Sequence, residues 1–135
     1  MLSLIGNLAL RPVWMEGIKS VDKISHPINH VGVRHRSVFD NRTITWYSSS
    51  FSQSSNTFYY SETDEKKIMT IFFTVQAIDA DSTFVTIDYY LKKEFLIQLY
   101  FSLFLKNKLF KQLSKSLHNL EELSKRPNVG YINSA

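Results

Sequence analysis

The hydrophobic pattern of this chain changes its period once, near Glu94. Before that residue, five stretches rich in β-branched and aromatic residues alternate with short polar turns, which predicts consecutive antiparallel strands joined as hairpins. After it, the apolar residues recur at steps of three, four and seven without Gly or Pro, which predicts one long helix from Glu94 to Ser124. The sequence therefore predicts an α+β fold whose strands cover residues 31–39, 43–51, 57–61, 68–78 and 83–91.

The predicted helix carries an apolar stripe that we expect to face the sheet: Leu96, Leu99, Leu103, Phe110, Leu113, Leu117 and Leu120. A helix is about 10 Å wide, whereas five strands spaced about 4.8 Å apart are roughly twice as wide. One helix covers such a sheet only if the sheet curls around it, and a curled sheet encloses space. The predicted lining of this hollow is apolar and aromatic: Trp46, Phe58, Tyr60, Phe73, Tyr89, Leu99, Leu103 and Phe110.

The segments outside this pattern are short. Residues 1–28 are predicted to form helical pieces, because Pro12 and Gly17 interrupt their apolar spacing. Residues 62–66 are predicted to form a charged turn between two strands. Pro127 ends the long helix, and we expect residues 128–135 to form a polar tail. A chain of 135 residues has the length of one domain, which we place at residues 1–127.

Composition excludes several classes of protein. The absence of Cys excludes disulfide frameworks and thiolate metal sites and favours a reducing compartment, so we expect a cytoplasmic location. The apolar start, residues 1–10, has neither the basic flank nor the cleavage pattern of a secretion signal. The densest apolar run, residues 95–105, falls well short of the roughly twenty residues that cross a bilayer. The net charge of +4 permits an anionic partner, but nucleic acid is not expected because the basic helix face lacks interleaved aromatic residues.

The sequence carries no recognisable catalytic or cofactor motif. It has no Gly-x-Ser-x-Gly element and no glycine-rich phosphate loop, so we expect neither a nucleophilic serine nor a bound nucleotide cofactor. A metal site is not expected either, because His26, His30 and His35 are spaced by four and five residues without an adjacent carboxylate pair.

Two segments resemble a known superfamily. Residues 11–21 read RPVWMEGIKSV and residues 31–36 read VGVRHR. Together with the order of short helices, antiparallel strands and one long terminal helix, they resemble the helix-grip fold of the START-like (SRPBCC) superfamily, which includes polyketide cyclases and the birch-pollen allergen type. The resemblance covers about residues 8–125. It implies a curved antiparallel sheet of about five strands wrapped on the terminal helix, commonly with a ligand cavity, and it carries no catalytic signature.

The resemblance also implies a missing element. Members of the superfamily begin with a strand and a fuller helix, whereas only ten residues precede Arg11 here, so we expect a shortened gene product or a misassigned start. That first strand pairs with the last one in the family. Its loss would leave the predicted strand 83–91 with an open edge, which predicts a homodimer formed through this edge.

The predicted hollow indicates a protein that binds or carries a small hydrophobic ligand without covalent chemistry, and the resemblance implies that this ligand is a lipid or an aromatic, polyketide-like molecule. The candidate polar groups for orienting it are His35, Tyr60, Asp88 and Tyr90, with Arg34 or Arg36 nearby. Asp88 also fits the solvent face of its strand. Two alternatives remain open. One is an enzyme of the polyketide cyclase or dehydratase type, with a titratable group facing the hollow. The other is a protein-interaction module, for which the core would be filled.

Overall fold

The structure is a computed structural model that describes residues 2–23 and 32–126. Short helical elements come first, six strands follow, and a long helical segment ends the described chain. The elements are α1 (Leu2–Gly6), a 3-10 turn (Leu8–Leu10), α2 (Arg11–Trp14), β1 (Ser20–Lys23), β2 (Arg34–Val38), β3 (Thr43–Gln53), β4 (Thr57–Asp64), β5 (Met69–Ala77), β6 (Thr83–Leu91), α3 (Phe95–Tyr100), a π-helical segment (Phe101–Leu105) and α4 (Lys106–Ser124). The predicted α+β class and the long terminal helix are confirmed.

The six strands form one antiparallel sheet in chain order, from β1 at one edge to β6 at the other. The prediction of five strands is therefore wrong by one. The missed strand is β1, which lies inside the stretch predicted to be helical and pairs with β2 from Ser20 opposite Val38 to Lys23 opposite His35. Four residues with one apolar side chain are too few to show a two-residue period, so only the pairing partner reveals this strand.

The turn between β4 and β5 begins later than predicted. Glu62 and Asp64, assigned to a charged turn, are buried members of β4. The Asp64 carboxylate accepts backbone N–H bonds from Lys66, Ile68 and Met69 at 2.7–3.2 Å, so it organises the turn from within. The charge of these residues does not place them at the surface, because a carboxylate that accepts several N–H bonds is stable when buried.

The core lies on one face of the sheet. Its sheet side consists of large side chains from β3, β4 and β5: Trp46, Phe58, Tyr60, Ile71, Phe73 and Val75. Its helical side comes mainly from the first fifteen residues, with Leu4, Ile5, Leu8, Leu10, Trp14 and Met15, and from the end of α4, with Leu120 and Leu123. The N-terminal helical elements thus share with α4 the task of covering the sheet.

The predicted apolar stripe of the long helix is wrong over its N-terminal half. Leu96, Leu103 and Phe110 are 76%, 66% and 70% exposed, and the described residues of 95–105 include no buried side chain. One physical reason is the π-helical segment, in which each residue turns less about the axis than in an α-helix. Apolar positions before and after this segment therefore cannot share one face, although the α-helical spacing places them together.

Part of the prediction falls outside the described residues. The polar tail, His26, His30 and the start of the strand predicted at Val31 belong to that part. Within residues 2–23 and 32–126, no helix combines the length and the apolarity required to cross a membrane.

Candidate functional site

A pocket of about 50 Å³ lies between the core face of the sheet, the turn that follows α2, and α4. The sheet contributes mainly aromatic and aliphatic walls: Phe39, Ile44, Trp46, Met69, Ile71 and Tyr89. Met15 and Ile18 close one side, and Leu109 and Leu113 of α4 lie opposite the sheet. Apolar side chains therefore contribute to the wall on all three sides.

The size of the pocket limits what it holds. An apolar cavity of about 150 Å³ accommodates one benzene molecule, and drug-sized ligands occupy several hundred Å³. At about 50 Å³ this pocket accepts a few heavy atoms, and it is only partly enclosed. It fits the end of a molecule whose remainder extends through the opening.

Two polar side chains of the pocket wall belong to strands, Ser37 of β2 and Glu62 of β4. Both are 1% exposed. The other polar residues of the wall lie outside the strands: Glu16, Arg42, Gln112 and Ser116. Ser37 lies two residues beyond His35, so strand alternation puts both on the core face of β2. Glu62 lies two residues beyond Tyr60 on β4 in the same way.

Glu62 belongs to a buried cluster with Arg11, His35 and Tyr60. Nη1 of Arg11 donates to Oε1 of Glu62, and the Tyr60 hydroxyl donates to Oε2 at 2.8 Å. The Nε2 atom of His35 lies 3.6 Å from Oε2 of Glu62 and 3.5 Å from Nη1 of Arg11. Arg11 reaches the cluster from the first position of α2 and lies over the Phe73 ring, 5.4 Å from its centroid. The opposite charges of Arg11 and Glu62 offset each other, which makes their burial tolerable.

Burial sets the protonation of the other two members. It lowers the pKa of His35 to about 4, and this effect outweighs the opposite pull of the Glu62 carboxylate. Burial also raises the pKa of Tyr60 far above its ordinary value, and the negative charge of Glu62 adds to the rise. His35 and Tyr60 are therefore both neutral near pH 7, and the cluster as a whole carries no net charge.

Several buried polar atoms have no hydrogen-bond partner among the residues that the structure describes: Ser37 Oγ, Arg11 Nε, Arg11 Nη2 and Trp14 Nε1. A buried polar group without a partner costs about 1–3 kcal/mol. Of these atoms, Ser37 Oγ belongs to a residue that lines the pocket. The pocket wall thus carries a free hydroxyl beside the ionic cluster.

The structure separates the predicted site residues into three groups. Trp46 and Tyr89 line the pocket. Phe58, Tyr60, Phe73 and His35 are buried but do not belong to the pocket wall, since Phe58 and Phe73 pack in the aromatic core and the other two join the ionic cluster. The third group is exposed, and for it the predicted place in the hollow is wrong: Asp88, Leu99, Leu103 and Phe110.

Each exposed residue has a physical explanation. Asp88 lies on the outer face of β6, whereas its neighbours Ile87 and Tyr89 point to the core side. This is the solvent-face position that the sequence also allows for Asp88. Leu99 and Leu103 precede the helix α4, whose last turns enter the core. Phe110 belongs to α4 but lies on its outer side, next to Leu109, which lines the pocket.

Sequence reasoning missed Arg11, Ser37 and Glu62. A signal existed for Glu62, because continuing the alternation of Phe58 and Tyr60 by one step places Glu62 on the core face. A similar step from His35 leads to Ser37. Arg11 had no comparable signal, because its burial depends on meeting Glu62, fifty-one positions away in the chain.

No group of three or more His, Asp or Glu side chains suited to hold a metal ion occurs in the part of the chain that the structure describes, which leaves out His26 and His30. No protein-family model, no curated protein and no solved structure matches the chain. The START-like assignment therefore stays a prediction from the residues quoted above and from the order of the elements.

Proposed function

We propose that this protein binds a small, mainly apolar molecule with one hydroxyl-type polar end, in the pocket between the sheet and α4 of a START-like helix-grip domain. The observation that carries the proposal is the strand side of the pocket wall, where the unpaired Ser37 hydroxyl and the Glu62 carboxylate lie among aromatic and aliphatic side chains. A polar end that both donates and accepts a hydrogen bond satisfies these two groups together.

The neutrality of the ionic cluster decides the charge of the ligand. Arg11 and Glu62 are paired, and His35 and Tyr60 are uncharged near pH 7, so an ionised end placed beside them would add an uncompensated charge. An alcohol brings no such charge. We therefore expect an alcohol to bind more tightly than the carboxylate of the same chain length.

The small volume sets the expected affinity. Carbon atoms next to the hydroxyl that bury about 150 Å² in total gain at most roughly 4 kcal/mol at about 25 cal/mol per Å². Even before the cost of association is subtracted, this corresponds to a dissociation constant of about 1 mM. Affinities in the micromolar range require the hydrogen bonds to Ser37 and Glu62 or additional contacts outside the pocket. The START-like resemblance supports a lipid or an aromatic, polyketide-like molecule as the class of ligand, and the Cys-free sequence supports a cytoplasmic location.

A cyclase or dehydratase is the second candidate, and one observation favours it: Glu62 is a titratable group in the pocket wall. Against proton transfer by Glu62 stands the engagement of both its oxygens within the protein, one by Arg11 and the other by the Tyr60 hydroxyl. The substitution Glu62→Gln separates the candidates. A binding protein loses part of its affinity, whereas an enzyme loses turnover while it still binds the substrate.

The test uses the full chain with octanol and octanoate as probes. Binding is followed by native mass spectrometry and by quenching of Trp46, which lines the pocket. We expect Leu113→Trp to fill the pocket and abolish octanol binding, because Leu113 lies in the pocket wall on α4. The matched control is Leu103→Trp, the same change at an exposed position of the preceding helical segment, which should leave binding unchanged.

Ser37→Ala tests the polar anchor and should weaken octanol binding by about five- to tenfold, the equivalent of one hydrogen bond of about 1 kcal/mol or slightly more. In the opposite orientation the apolar end lies inside the pocket, and a carboxylate outside it pairs with Arg42, an exposed residue of the pocket wall. Preferential binding of octanoate that is lost in Arg42→Gln would show that the apolar end enters first and would contradict the proposed anchor. If Leu113→Trp bound each probe as tightly as the unchanged protein does, the pocket would not be the binding site.

A further inference from the structure

The helical segment after β6 exposes an apolar surface that the pocket does not use. We call it the exposed helical face and define it as Phe95, Leu96, Leu99, Tyr100, Leu103 and Phe104. Between 42% and 77% of each of these side chains is exposed. Large contiguous apolar surfaces of this kind mark sites of association with proteins or membranes.

Lysines flank this face on both sides. Lys92 and Lys93 precede it, and Lys106, Lys108 and Lys111 follow it. Residues 92–115 contain six lysines and one acidic residue, Glu94, so this segment accounts for the entire positive net charge of +4. The net positive charge of the chain thus lies around the exposed helical face.

Few of these lysines are neutralised within the molecule. Lys92 pairs with Glu94 at 2.6 Å, and Lys115 pairs with Glu16 at 3.1 Å. Among the described residues, Lys93, Lys106, Lys108 and Lys111 take part in no ion pair. Their ammonium groups are available to an anionic partner.

We propose that residues 92–111 dock the protein on the surface of an anionic lipid bilayer. The exposed helical face enters the boundary between headgroups and acyl chains, and the flanking lysines contact the lipid phosphates. Apolar and aromatic side chains combined with lysines favour this interfacial position, since burial of apolar area and attraction to anionic lipids add together. Tyr100 suits the interface because its ring is apolar and its hydroxyl remains hydrated.

The charge distribution disfavours a second copy of the chain as the occupant. An antiparallel pairing of two such faces brings Lys92 and Lys93 of one copy towards Lys106 and Lys108 of the other. A parallel pairing brings each lysine towards its own counterpart. Both arrangements place like charges together in an interface, which destabilises it.

The test measures cosedimentation of the full chain with vesicles of pure phosphatidylcholine and with vesicles of equal parts phosphatidylcholine and phosphatidylglycerol. We expect binding to the anionic vesicles alone, and its loss at an ionic strength of about 1 M, where charges are screened within about 3 Å. Lys106→Gln combined with Lys108→Gln should weaken binding by roughly 25-fold, since one lysine near the surface contributes roughly fivefold. Leu103→Ser combined with Phe104→Ser should weaken it by at least roughly tenfold.

The control variants carry the same changes elsewhere on the surface. Lys66→Gln with Lys67→Gln alters two exposed lysines, and Ile78→Ser with Phe84→Ser alters two exposed apolar residues near the β5–β6 turn. Both should bind vesicles like the unchanged protein. Equal binding to pure phosphatidylcholine, or equal weakening by the control variants, would overturn the proposal. An absence of binding to the anionic vesicles would overturn it as well. A dimer that Leu103→Ser and Phe104→Ser dissociate would then identify a second copy as the occupant.

Discussion

The guanidinium group of Arg11, at the start of α2, pairs with the carboxylate of Glu62 on β4, and both side chains are 1% exposed. This contact joins the N-terminal helical layer to the middle of the sheet at the edge of the candidate pocket. It fixes one oxygen of Glu62, while Tyr60 holds the other. The same pair therefore contributes both to the packing of the two layers and to the polar wall of the pocket.

Breaking this pair should be costly. Arg11→Met leaves the Glu62 carboxylate buried without its counter-ion, and we expect a loss of about 3–5 kcal/mol in the free energy of unfolding measured with urea. Arg11→Met combined with Glu62→Gln should recover most of that loss, because no uncompensated charge remains. The control is Lys115→Met, which removes the exposed pair with Glu16 and should cost less than about 1 kcal/mol. A double variant no more stable than Arg11→Met would contradict this account.

His35 should make stability depend on pH. Its pKa is about 4 in the folded protein, because burial disfavours the charged ring, and about 6.5 in the unfolded chain. The unfolded chain binds more protons between these values. The contribution of His35 to the free energy of unfolding is therefore complete above about pH 6.5. It is lost as the pH falls towards 4, and the loss is about 3 kcal/mol in total.

The measurement compares urea unfolding of the unchanged protein and His35→Gln at pH 7.5 and pH 5. We expect the difference in stability between the two pH values to be smaller in His35→Gln by about 2 kcal/mol. His118→Gln changes an exposed histidine and serves as the control. Identical pH dependence in the unchanged protein and His35→Gln would show that His35 does not carry the effect.

Gly17 lies between α2 and β1 with a φ of +90°, a conformation that L side chains rarely adopt. A Cβ atom there would also lie 3.4 Å from Nε2 of Gln112 and 3.7 Å from the Phe39 ring. We expect Gly17→Ala to lower the free energy of unfolding by about 1–2 kcal/mol. Gly6→Ala is the control, since a Cβ atom there meets nothing within 4 Å, and it should not destabilise the protein. Equal melting temperatures of the two variants would refute the assignment of strain to Gly17.

The strand β6 ends the sheet in the described structure, as the prediction of an open edge at residues 83–91 requires. Self-association through this edge remains a prediction, to be measured by sedimentation equilibrium over a range of concentrations. Phe84→Lys places a charge on the edge strand and should shift a dimer towards monomer, whereas Ile78→Lys, in the preceding turn, should not. A monomer at high micromolar concentration would count against the prediction.

The strand β6 was predicted with its observed bounds, and the long helix with an error of one residue at its start. Both elements have strong local patterns, an alternation over nine residues and a helical spacing without Gly or Pro. The strand β1 was missed because its four residues acquire their conformation from hydrogen bonds to β2. The sequence also predicts Trp46 and Tyr89 as pocket residues, because the same two-residue alternation places both side chains on the core face of their strands.

What the sequence by itself determined is the local conformation: the succession of strands, the terminal helix and the face of each strand that is apolar. These depend on backbone geometry and on the spacing of neighbouring side chains. Only the tertiary structure decided that Leu103 and Phe110 are exposed and that Arg11 meets Glu62. These outcomes depend on which surfaces compete to cover the sheet. The N-terminal helical elements occupy much of its core face, and a π-helical segment turns the start of the long helix away from the stripe that an α-helix would continue.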